Sequence, residues 1–174
     1  MKKLFLWQFS GFVLSTAIGT LLHFLYSLTQ FLPFALFSAV NESTFEHMKI
    51  LFFPTFLFAA VQAPFFHKEY NGFWGVKLIG TSAALLTMPI AFYTLTGVFG
   101  SLPAWLNVLI FFLSAAVGFY LEFRLFDNKK TPIKSSAFPL TVFVALSVAF
   151  VVCTFFPPHI PLFQDPVTGG FGII

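Results

Sequence analysis

The chain has 174 residues, 58% hydrophobic, 21% aromatic and only 9% charged, with 29 phenylalanines and a formal net charge of +3. Soluble domains carry about 25% charged residues, so this composition excludes a water-soluble globule, and its aromatic content excludes a disordered chain. One cysteine, Cys153, excludes a disulfide scaffold, and the mean hydropathy of +0.90 leaves an all-α integral membrane protein, a single transmembrane domain over 1–174.

A helix crosses the hydrocarbon core, about 30 Å, with roughly 20 apolar residues. Five runs qualify. The first, 4–26, follows Lys2 and Lys3 like the start of a signal peptide, but it runs too long and lacks an A-x-A cleavage site, which predicts a retained first span. Its small residues Gly11, Ser15 and Gly19 recur every four positions and the same stripe ends on His23, so His23 is expected to face the bundle. Residues 31–40, FLPFALFSAV, are too few to cross. They are expected to form a short helix, re-entrant or interfacial, in the outer half of the membrane. The remaining spans are 50–66 with Pro54 and Pro64, 76–99 with Pro89, 106–121 and 137–156, followed by an ordered outer tail, 157–174, that caps the bundle.

Basic residues set the orientation, since cytoplasmic loops are rich in Lys and Arg. With five spans, Lys2, Lys3, Lys68, Lys77, Arg124, Lys129, Lys130 and Lys134 fall on the N-terminal side and Lys49 alone on the other. A multi-pass membrane protein follows, with a cytoplasmic N-terminus and an extracytoplasmic C-terminus. The same distribution accounts for the net charge, so no nucleic-acid partner is implied. His67, Glu69, Glu122 and Asp127 fall inside, whereas His23, Glu42, Glu46, His47, His159 and Asp165 fall outside. The span centres carry no ionisable group, which argues against an ion-coupled transporter.

Two polar segments stand out at the outer face. In Asn41-Glu42-Ser43-Thr44-Phe45-Glu46-His47-Met48-Lys49, Ser43 followed by Glu46 is a capping-box pattern. That pattern leaves Glu42 and His47 unexplained. In the tail, Pro157, Pro158 and Pro161 restrict the backbone around His159, and Asp165-Pro166 before Thr168-Gly169-Gly170 is turn chemistry.

These segments, together with Leu22-His23-Phe24-Leu25-Tyr26 and Phe52-Phe53-Pro54, resemble a family of small multi-span membrane proteins of Gram-positive bacteria known only as a domain of unknown function. The family more usually has Trp at position 45 and Tyr at 171; Phe45 and Phe171 here keep the ring. The resemblance implies membrane location and transfers no activity.

The residues themselves point to a divalent-metal site at the outer face, with zinc suited to two imidazoles, one carboxylate and an open position. His47, His159 and either Glu42 or Asp165 are the expected ligands, Glu46 the general base, and His23 the group that orients a ligand or water. The activity this would serve is metal-assisted hydrolysis or transfer on a lipid or envelope substrate. The alternative is a non-catalytic accessory or binding subunit in which the same motifs are a helix cap and a structural lid. Beyond membrane lipids, neither the partner nor the oligomeric state is legible.

Overall fold

In the computed structural model, which describes residues 1–128, 131 and 133–173, the expected five spans are five α-helices. They are α1 (Lys2–Thr29), α2 (Thr44–Phe66), α3 (Phe73–Phe99), α4 (Ala104–Asp127) and α5 (Ala137–Phe155). Among the described residues 76% are helical and no strand occurs. Each helix is long and apolar enough to cross a membrane; α1, at 28 residues, reaches about 42 Å. Pro54, Pro64 and Pro89 lie within continuous helices. Lys129 and Lys130 of the positive-side count lie outside the described residues.

Small residues decide which helices pack closely. A Cβ on Gly118 of α4 would sit 2.8 Å from the Gly80 carbonyl oxygen of α3, and one on Gly19 of α1 would sit 2.8 Å from the Ile50 carbonyl oxygen of α2. Only glycine permits those approaches. The stripe predicted from Gly11, Ser15 and Gly19 is buried as a whole. By contrast, α5 meets the bundle through a column of rings. Phe163 lies 4.3 Å from Phe45 between centroids, Phe45 and Phe52 each lie 5.0 Å from Phe150, and Phe56 stacks on Phe143 at 4.7 Å.

The segment 31–40 is not the short α-helix expected. Its ordered part is a five-residue 3-10 turn, Leu32–Leu36, opened by Pro33, after which the backbone is drawn onto α1. The Ser38 hydroxyl accepts from Tyr26 N at 2.9 Å and donates to the Leu22 carbonyl, and Ala35 is fully buried. A helix continued through Ser38 would forfeit those bonds.

Lys49, Lys77 and Glu122, assigned from sequence to aqueous segments, are instead buried within the helices. Lys77 Nζ lies 2.5 Å from Glu122 Oε2 and donates to Gln62 Oε1 at 3.1 Å, tying α3 to α4 and α2. Lys49 Nζ lies 2.6 Å from Glu46 Oε2 and donates to Thr154 Oγ1 at 2.8 Å and to the Ala35 carbonyl at 2.9 Å. Hydropathy treats such lysines as loop residues because it scores each charge alone. Pairing removes most of the penalty that score assumes.

Candidate metal centre

The start of α2 organises the site. Ser43 is its N-cap, and its hydroxyl accepts from Glu46 N at 3.3 Å, as the capping pattern predicted. The reciprocal half is absent: the Glu46 carboxylate turns away and takes Val40 N at 3.0 Å. One helical step of about 100° then separates Glu46 from His47. Glu46 therefore faces Lys49 and Thr154, whereas His47 faces α1 and α4. Glu42 precedes the helix, so it is free of that periodicity and folds over to the His47 side.

There His23, Glu42 and His47 converge. His23 Nε2 lies 3.2 Å from His47 Nε2 and 3.5 Å from Glu42 Oε2, and His47 Nε2 lies 3.7 Å from the same oxygen. A tetrahedral ion with ligand bonds of about 2.0–2.1 Å requires donors about 3.3–3.4 Å apart. The three observed separations bracket that value. Among the described residues this is the group of His, Cys, Asp and Glu that meets metal-ligand spacing. Its tautomer is also set for ligation: His47 Nδ1 donates to the Ser43 carbonyl at 2.9 Å, leaving the Nε2 lone pair directed at the other two donors. The neighbouring His23 holds the Glu42 carboxyl below the ordinary carboxylate range, against an opposing push from partial burial.

The other expected site residues are elsewhere. Glu46 is occupied on both oxygens, by Lys49 and Val40 N on one and by the Thr154 hydroxyl, at 3.0 Å, on the other. His159 is exposed and packs over Phe171, centroids 4.7 Å apart. Asp165 Oδ1 accepts from Val167 N at 2.7 Å and Thr168 N at 3.2 Å, closing its own turn. Its Oδ2 accepts from Glu42 N at 3.3 Å. The tail thus supplies no donor to the His–Glu group but holds the backbone of the residue that does. Asn41 adds a second tie, donating from Nδ2 to the Gly172 carbonyl at 2.7 Å.

Residues 1–173 match the profile described as a family of unknown function, DUF6512. The chain belongs to DUF6512. No curated protein and no solved structure matches it. For this DUF6512 chain, the arguments about the site therefore come from its own residues.

Two spaces adjoin the three donors. A cleft of about 270 Å³ between α1, α2 and α4 is walled by Phe24, Ile50, Val108, Phe111 and Phe112 beside His23, Glu42 and His47. A smaller space of about 30 Å³, water-sized, lies behind Glu42 and His47 against Thr44, Met88, Phe92 and Asn107. Asn107 borders both, and its Oδ1 is buried without a hydrogen-bond partner. Sequence reasoning passed over Asn107. Its only signal is an amide one turn inside an apolar span, and a single amide is ordinary in such helices.

Proposed function

We propose that this protein holds a divalent ion at the outer end of the bundle, on His23 Nε2, His47 Nε2 and a Glu42 oxygen, and uses it in metal-assisted hydrolysis or transfer on a lipid or envelope substrate. The observation that carries this reading is the convergence of three donors from two segments, α1 and residues 42–47, at tetrahedral spacing. Two imidazoles and one carboxylate with a fourth position open is the ligand set of hydrolytic zinc sites. Such an ion supplies Lewis acidity to a carbonyl or phosphoryl oxygen and to water.

The chain's own groups prepare that position. The Ser43 carbonyl fixes the His47 ring, and the tail fixes the Glu42 backbone. Glu42 cancels one of the two charges brought by the ion, so the open position retains one positive charge and favours a polarisable or anionic oxygen. Glu46, with both oxygens occupied, is a strut between α2 and α5 rather than a base. The lysine distribution supports placing this end of the bundle on the extracytoplasmic side. Pairing of Lys49 with Glu46 leaves that side without an exposed basic residue among the described residues, which strengthens the bias.

Elemental analysis and cobalt titration of the purified protein test the reading. About one equivalent of zinc or cobalt per chain is expected, abolished by His23→Ala or His47→Ala and weakened by Glu42→Ala. A wild-type protein that binds no divalent ion stoichiometrically would leave the accessory-subunit reading, with the motifs as cap and lid.

A further inference from the structure

Resting on that metal site, we infer that its substrate is a neutral acyl lipid, carrying a hydroxyl or amide donor beside its carbonyl, which enters sideways from the membrane between α1 and α4. The walls of the 270 Å³ cleft are the first ground. Phe24, Val108 and Phe112 are 54%, 56% and 37% exposed, on helices whose outer surfaces face lipid, so the cleft opens toward acyl chains as well as toward the donors. Its volume falls just below the range of about 300–1,000 Å³ typical of small-molecule pockets. That is room for part of one chain beside a small polar group.

The charge of the cleft is the second ground. Among the described residues that line it there is no Lys or Arg. Phosphate recognition relies on such residues or on clustered backbone N–H groups. The ion's single residual charge is well matched to a carbonyl oxygen and poorly matched to a phosphate monoester beside Glu42.

Asn107 is the third. Its orphaned Oδ1 stands where the cleft meets the water-sized space, next to Glu42 and His47. A buried acceptor without a donor carries a desolvation cost. A ligand O–H or N–H relieves it, whereas a bare ester does not. Asn107 is accordingly the residue that distinguishes a hydroxylated acyl lipid from a simple ester.

The test uses the full-length protein loaded with cobalt in micelles, whose visible absorption reports the coordination sphere independently of turnover. Mono-oleoylglycerol is expected to change the cobalt bands saturably. Methyl oleate, which has the same chain and ester but no donor, should bind about tenfold more weakly, the value of one hydrogen bond. Asn107→Leu should erase that difference, and Val108→Trp, which fills the cleft, should abolish the lipid response while leaving the cobalt bands of the ligand-free protein intact. Those bands also report that each variant is folded at the site. If oleoyl lysophosphatidate alone changes the spectrum, the neutral-lipid assignment is overturned in favour of a phosphate headgroup. If no lipid changes bands that do depend on His23 and His47, the lipid inference fails and the metal site stands. If no such bands form, the metal site fails and this inference with it.

Discussion

His47 uses its two ring nitrogens for different tasks: Nδ1 is anchored on the Ser43 carbonyl and Nε2 faces His23 and Glu42. A helix N-cap thereby doubles as the orienting partner of a candidate ligand, so the capping pattern in the sequence and the site are one feature. Glu42 is the titratable member that can be followed. Because its carboxyl titrates below the usual value of 4.5 in the folded chain, its contribution to stability is present above about pH 4.5 and is lost as pH falls through the lower, folded value. Thermal unfolding of the metal-free protein between pH 6 and pH 3 should therefore show a smaller acid loss for Glu42→Gln than for wild type; an identical loss would remove Glu42 from the ionised cluster. Asp165 acts one step further out, through the Glu42 amide. Supporting groups of this kind are worth about 10–100-fold in metal affinity. Asp165→Ala should weaken cobalt binding by about tenfold in a competition titration, and His159→Ala, at an exposed ring on Phe171, should leave it unchanged.

Among the elements, α3 and α4 are joined both by backbone approach at Gly80 and Gly118 and by the Lys77–Glu122 pair. The ammonium also lies over the rings of Phe119 and Phe58, at 5.2 and 5.7 Å. Removing one partner of a buried pair costs about 3–5 kcal/mol, whereas replacing both with apolar groups of similar volume is often neutral or better. Glu122→Leu should lower the unfolding free energy from a detergent-denaturant titration by an amount in that range, and Lys77→Met with Glu122→Leu should recover most of it. Equal losses in the single and double variants would mean that the pair is not the source of stability. A smaller effect, about 1–3 kcal/mol, is expected for Gly19→Val, whose added Cβ meets the Ile50 carbonyl and Phe111. The helices themselves were plain in the sequence because apolar run length is set by the bilayer. The partner of Lys77 was not, because Glu122 reaches it from the next helix through side-chain directions that linear spacing does not encode for antiparallel neighbours. Glu46 and Lys49 are an i,i+3 pair on one helix, hidden only because hydropathy assigns Lys49 to the outer aqueous segment. The inward face of His23 was readable from the small-residue stripe. The side on which Glu42 would fall was not, since it depends on where α2 begins.

At the scale of the whole molecule, the tail and the segment 41–47 clasp each other. Phe163 packs on Phe45, Asp165 holds Glu42, and Asn41 holds Gly172. A chain ending at Phe156 should keep its helical content by circular dichroism and lose cobalt affinity by tenfold or more; unaltered affinity would reduce the tail to a cover. The prolines and turn residues made an ordered tail legible, but not that its acidic residue would grip a backbone amide instead of an ion. The Lys77–Glu122 pair has a further consequence during synthesis. The two residues are 45 positions apart, so α3 leaves the ribosome carrying a lysine whose counter-charge has yet to be translated. Lys77 lies just over one turn inside the N-terminal end of α3, where a lone ammonium can still reach the membrane interface. So α3 can enter first with its lysine at the surface and draw it inward when Glu122 arrives with α4.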